Sequence, residues 1–99
     1  IDRNGIQSLA GTEQTVRLEP LAEKWTAFGW AVYELDGHNH AEIAAALDQA
    51  QTEAQPTVLI CRTVKGKGVS FMEDQVLWHY RPPGESELVA ALSELGGTT

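Results

Sequence analysis

Residues 57–61 read Thr-Val-Leu-Ile-Cys. This continuous apolar, largely β-branched run has no alternating polar position, so it describes a strand with no solvent face. Strands of that kind belong to parallel sheets, whose two faces are covered by crossover helices. The residues before it carry the matching pattern. Glu19-Pro20 opens a helix, because proline suits the first helical turn, where its missing N–H costs nothing. Leu21, Trp25 and Phe28 follow at spacings of four and three, one helical face. Trp30–Leu35 reads as a strand and Asp36-Gly37-His38 as a turn. Asn39 is an N-cap, with Glu42 three residues on completing a capping box. Ile43, Ala44, Leu47 and Ala50 or Ala54 form the apolar stripe of the second helix.

The two ends of the chain are less regular. Ile1-Asp2 reads as the end of a buried strand and Asn4-Gly5 as a tight turn after it. Residues 5–17 have no clean period and read as a loop. Val64-Lys65-Gly66-Lys67-Gly68 is a glycine-punctuated loop, and residues 69–84 are irregular up to Pro82-Pro83-Gly84. A final helix runs from Glu87 to Leu95, with Leu88, Ala91, Leu92 and Leu95 on one side. The order is strand end, helix, strand, helix, strand, loop, helix. That alternation gives an α/β fold, a parallel sheet with flanking helices and right-handed crossovers. Two complete strands and a fragment are too few to be covered on both faces. The chain is therefore expected to dock onto a larger partner or to be a piece of a larger chain.

With 99 residues, the core is expected to be modest. No stretch of 18 apolar residues is present, and the first residues are polar and charged, so neither a membrane span nor a signal peptide is expected. The single cysteine, Cys61, allows no internal disulfide, fits a reducing cytoplasm and reads as a buried structural thiol. The net charge of −7 argues against nonspecific binding to nucleic acid or an anionic membrane. Four of the seven basic residues (Arg62, Lys65, Lys67 and Arg81) nevertheless lie between positions 62 and 81, opposed there only by Glu73 and Asp74. Two readings stand for that stretch: a loop that handles a small anion, and a solvated turn that happens to carry lysines.

In open α/β sheets, ligands bind at the carboxyl ends of the strands. Three polar clusters fall there: Asn4-Gly5-Ile6, Asp36-Gly37-His38 and Lys65-Gly66-Lys67-Gly68. The Asn4 amide oxygen is a hard, neutral ligand suited to Mg²⁺ or Ca²⁺. Gly5 lets the chain turn back, so that the Ile6 carbonyl can serve the same ion. Asn-Gly is also the commonest turn dipeptide, and spacing alone favours a plain turn. His38 reads by default as a surface-turn histidine. His79 stands in Leu77-Trp78-His79-Tyr80-Arg81, where phosphate binding and simple packing are both open.

Three stretches taken together resemble transketolase: DRNGIQS (2–8), LEPLAEKWTAFGWAVYELDGHNH (18–40) and PTVLICRTVKGKGVSFMEDQVLWHYRPP (56–83). The resemblance is to the diphosphate-binding domain, the N-terminal half of the enzyme, and in particular to its split-subunit, transketolase-like branch. KGKGVSFME followed by WH is its most specific part. It implies a partial thiamine-diphosphate-binding fold. It also implies that residues 1–99 are the C-terminal portion of that domain. By the same resemblance, Asn4 is a side-chain ligand of the divalent metal, Ile6 supplies a backbone carbonyl, and Gly5 belongs to the same cofactor-binding turn. His79 matches the family histidine near the cofactor diphosphate and the donor sugar, and so carries the implied catalytic and cofactor-binding role. Arg81 is a weaker candidate for an anion contact.

The implied cofactors are thiamine diphosphate and Mg²⁺ (or Ca²⁺), and the implied reaction moves a two-carbon ketol unit between sugar phosphates. The family's Gly-Asp-Gly motif, whose aspartate is the third protein ligand, is absent from the sequence. The implied partners are therefore a chain carrying that segment and a chain carrying the pyrimidine-binding half, in a cytoplasmic hetero-oligomer that is inactive without them. A deoxyxylulose-phosphate synthase-like fragment and a non-catalytic remnant or assembly module remain the alternatives.

Overall fold

The computed structural model describes residues 1–96, which form two compact units. The first comprises Ile1–Asn4 with Val16–Thr63, and the second Gly5–Thr15 with the described residues from Val64 onward.

The first unit is built on β3, Thr57–Arg62. It pairs in parallel with β1 (Asp2–Arg3) on one side and with β2 (Ala31–Asp36) on the other, so the strand order is β1-β3-β2. The apolar run recognised in the sequence is thus the central strand. The β2 to β3 connection runs through α3, His40–Ala50, as a parallel pair requires. Leu35, Ala46, Val58 and Ile60 are the buried residues of this unit.

Only one face of β3 is closed. Val58 and Ile60 are buried, whereas Thr57, Leu59 and Cys61 on the other face are half-buried. A strand buried on both faces is therefore not what these residues form by themselves. The buried Cys61 expected from sequence is a half-buried free thiol. The helices depart from expectation in the same way. The inward side of α3 is Ile43, Ala46 and Ala50, while Ala44 and Leu47 point outward, Leu47 being 52% exposed. In α2 (Leu21–Ala27), Trp25 packs edge-on against Trp30, with centroids 4.9 Å apart, but Phe28 just beyond the helix is 79% exposed.

The α3 cap has its predicted residues in a modified arrangement. Asn39 Oδ1 accepts from the backbone N–H groups of Ala41 and Glu42, two donors that a helix start leaves unpaired. Glu42, however, does not return to the Asn39 N–H, which donates to the Asp36 carbonyl. Its carboxylate instead accepts from the Asp36 N–H at 3.0 Å and the Asn39 side-chain amide at 2.9 Å. The cap thereby grips the last residue of β2. Glu19 plays a similar part before α2. It accepts from the Leu21 N–H and pairs with Arg3, and these two contacts hold its carboxyl below the usual carboxylate range.

In the second unit, the loop after Asn4 is more ordered than its sequence announces. Ile6 bridges Gly11, the Thr12 N–H donates to the Gly5 carbonyl at 2.8 Å, and a single helical turn, α1, spans Thr12–Thr15. Residues 64–74 close on themselves, with the Asp74 N–H donating to the Lys65 carbonyl. A 3₁₀ turn covers Val76–His79, inside the region read as irregular. Helix α4 runs Glu85–Glu94, starting two residues before its predicted first residue. Ala91 is buried under it, but Leu88 and Leu95 of its predicted apolar side are exposed. Glu94 accepts from both the N–H and the hydroxyl of Ser70, tying the helix to the loop. Glu87, in the first turn of α4, accepts from the Gly84 N–H and takes a two-pronged ion pair from Arg81.

Two measurements test these contacts. A Cβ placed on Gly37 would lie 2.9 Å from Cys61 Cβ and 3.1 Å from the Arg62 carbonyl oxygen, and would also collide with Thr63 Cγ2. Gly37→Ala should therefore destabilise the protein by about 1–3 kcal/mol in denaturant titration, as overpacking does; an unchanged midpoint would contradict the close β2–β3 approach. The Arg81 pair, followed by the Gly84 N–H, lowers the Glu87 carboxyl to about 2. A depressed carboxyl stabilises the fold above its unfolded pKa, and that contribution is lost as pH falls from the unfolded value through the folded one. Carboxyl NMR should find Glu87 still ionised near about pH 3, where an ordinary glutamate is protonated, and Arg81→Gln should raise its titration toward the ordinary range, the Gly84 N–H still holding it somewhat low.

Candidate functional site

The sheet register sets where the candidate residues stand. Arg3 on β1 and Asp36 on β2 are both level with Arg62 on β3. The next residues, Asn4, Gly37 and Thr63, therefore leave the three strands at one edge, the carboxyl end of the parallel sheet. Gly37 donates its N–H to the Arg62 carbonyl at 2.8 Å, which locks the β2 turn to the end of β3. Asn4 thus occupies the position that open α/β sheets use for ligands.

The charged groups of the sheet unit near this edge are engaged with one another. Arg3, whose side chain is only 13% exposed, pairs with Glu19 at 3.0 Å. Arg62 pairs with Glu34 on the neighbouring strand, and the Thr63 hydroxyl donates to Asp2. The His38 N–H donates to the Asp36 carboxylate at 2.9 Å, so its turn is stabilised by its own backbone bond. Among the described residues, no group of three His, Cys, Asp or Glu is placed to hold a metal ion.

Gly5 and Ile6 begin the second unit. Gly5 has φ +76°, a left-handed conformation that a side chain would strain. A Cβ built there meets no atom within 4 Å, so the turn exposes bare backbone. The Gly5 carbonyl is taken up by Thr12, from both the N–H and the hydroxyl.

His79 ends the 3₁₀ turn and is exposed. Its neighbours are held firmly. Trp78 Nε1 donates to the Phe71 carbonyl, Arg81 lies 4.4 Å from the Trp78 ring centroid while gripping Glu87, and the Tyr80 hydroxyl donates to the Ser8 carbonyl. The His79 imidazole lies 6.4 Å from the Tyr80 ring and makes no side-chain hydrogen bond among the described residues. Arg81, the weaker candidate for an anion contact, is already bound to a carboxylate. The basic loop also has an internal anion: the Glu73 carboxylate accepts from the Gly68 N–H at 3.1 Å and lies 3.8 Å from Lys67 Nζ.

Sequence reasoning missed the Tyr80 and Glu87 contacts. Glu87 carried a readable signal, an acid three residues after Gly84, the spacing of a helix-start carboxylate. The bond from Tyr80 to Ser8 joins residues 72 apart and has no local signal.

Residues 1–98 match the family model described as "Transketolase, thiamine diphosphate binding domain". The chain is 41% identical over 95 residues to a 6-deoxy-6-sulfo-D-fructose transketolase subunit of Clostridium sp. (strain MSTE9), covering 95% of this chain and 34% of that one. It is 38% identical over 96 residues to an apulose-4-phosphate transketolase subunit of Phocaeicola vulgatus, covering 96% of this chain and again 34% of the relative. It thus spans about a third of the length of these relatives. Its fold superposes on a crystal structure of transketolase from Campylobacter jejuni with a TM-score of 0.89 and 28% identity, over 97% of this chain and 15% of that one. The chain belongs to the transketolase thiamine diphosphate-binding domain family.

Proposed function

We propose that this chain is the part of a transketolase that supplies two neutral oxygen ligands and a substrate-facing histidine to a thiamine-diphosphate site. The assembled enzyme transfers a two-carbon ketol unit between sugar phosphates. Family membership supports the transketolase component and thiamine diphosphate as its cofactor. The observation that carries the finer reading is the placement of Asn4 at the carboxyl end of β1, followed at once by the left-handed Gly5.

The residues present fit the cofactor. Asn4 carries an amide oxygen at a sheet edge, and the space beside the Gly5 Cα is open, with no atom within 4 Å of a Cβ built there. In this reading, Asn4 Oδ1 and the Ile6 carbonyl bind the divalent ion (Mg²⁺ or Ca²⁺) that neutralises the diphosphate. When bound, thiamine diphosphate supplies the electron sink for carbon–carbon bond cleavage and formation. His79 hydrogen-bonds phosphate or donor-sugar oxygens, which orients the donor. The names of the two related subunits point to anionic sugars, a sulfonated fructose and apulose 4-phosphate, in keeping with an exposed imidazole as donor.

Residues 1–99 then correspond to the C-terminal portion of the diphosphate-binding unit. The third metal ligand, the aspartate of a Gly-Asp-Gly segment, and the pyrimidine-binding half come from outside these residues, in a cytoplasmic hetero-oligomer. Relatives named as subunits support partner chains. Among the described residues no helix is long and apolar enough to cross a membrane.

Two experiments test the reading. In the assembled enzyme, Asn4→Ala should weaken Mg²⁺-dependent binding of thiamine diphosphate by at least about tenfold in calorimetry, since even residues that only support a metal ligand cost that much. Unchanged affinity would remove Asn4 from the metal site. The purified 99-residue chain alone should show no ketol transfer, and turnover without any other protein would overturn the need for partners.

A further inference from the structure

Within the second unit, residues 78–81 are anchored in three directions. Trp78 is bonded to Phe71, Arg81 to Glu87 at the start of α4, and Tyr80 to Ser8 in the loop 5–15. The last anchor differs from the others in what it joins. Its donor is the residue next to His79, and its acceptor is two residues beyond Ile6.

The loop 5–15 contains no buried residue, and Leu9 is 73% exposed. The backbone bonds from Gln7 to Ala10 and from Thr12 to Gly5 close the loop on itself. Tyr80 is also 62% exposed, so its ring gains little from burial. What the residue contributes is a stiff arm with two rotatable bonds and a hydroxyl at its tip. Phenylalanine keeps the arm and loses the donor.

We infer that Tyr80 is a positioning residue, whose hydroxyl holds the loop 5–15 on the turn that bears His79 and so sets where the imidazole stands relative to the Ile6 backbone. The inference rests on the roles given to His79 and Ile6 above. The tether acts on the two groups together: releasing it lets the loop drift and leaves His79 on a turn anchored from one side fewer.

The test uses the assembled enzyme with Tyr80→Phe, His79→Ala and the double variant. Tyr80→Phe should lower kcat/KM for the donor ketose phosphate about tenfold when His79 is present and less than about twofold when it is alanine, because a residue acting through another loses its effect with it. Without cofactor, Tyr80→Phe should speed hydrogen exchange in residues 5–15 about tenfold and leave residues 57–62 unchanged. An equal loss in both backgrounds, or unchanged exchange in the loop, overturns the inference. Full activity of His79→Ala overturns the reading of His79 on which it rests. That result is distinct from failure of the tether, which leaves His79→Ala impaired and Tyr80→Phe silent in both assays.

Discussion

The parallel pairing of β3 with both of its neighbours is the constraint on which the sheet unit depends. β3 alone shares hydrogen bonds with β1 and β2. A one-residue slip of either pair would turn every side chain of that strand to the other face. The buried Leu35, Val58 and Ile60 resist a slip between β2 and β3, whereas β1, which has no buried residue, is held by the Cys61 and Thr63 N–H groups on the Ile1 and Arg3 carbonyls. Because the register holds, Arg3, Arg62 and Asp36 end level, and Asn4 leaves the sheet beside Gly37 and Thr63. The placement of one asparagine is thus a consequence of the backbone pairing of β1 with the central strand.

Much of this was legible in the sequence because it depends on local chemistry. The run 57–61 announced a central parallel strand. Asn39 with Glu42 announced a helix start, and Glu19-Pro20 announced another. Exposure was not legible. Periodicity placed Phe28, Leu47, Leu88 and Leu95 inward, yet each is exposed. A hydrophobic pattern records where a side chain is comfortable, whereas burial also needs something to lie against it. Residues 1–96 cover these positions only in part. Cys61 follows the same logic: its strand is central in hydrogen bonding but closed on one face only.

The candidate site was legible in part for a different reason. The strand ends can be counted from the sequence, so Asn4 and the Asp36-Gly37-His38 turn were expected at the sheet's carboxyl edge, where the register of β1 and β2 puts them. Charge pairing could not be counted. Lys67 and Glu73 are close in sequence, but nothing there says that the Gly68 N–H shares the same carboxylate. Arg81 read as a weaker candidate for an anion contact beside His79, and in the fold it is held by Trp78 and Glu87. That pairing alters the chemistry of the turn, because a guanidinium already bound by two prongs to a carboxylate must lose that partner before it can take a phosphate.

The same pairing bears on what this chain can give a metal. Affinity for a hard divalent ion rises with the number of charged oxygens that reach it. Near the strand ends Asp2 accepts from Thr63, Glu19 is bound by Arg3, and Asp36 accepts from the His38 N–H. These carboxylates hold strands and turns together. Asn4 brings an oxygen without a charge. On the proposed reading, such a ligand set defines a direction of approach and contributes little affinity, so the charge that retains the ion comes from the diphosphate itself and from an aspartate outside these residues. A metal that binds well only when its anionic cargo and the second segment are both present makes cofactor loading and subunit assembly one equilibrium.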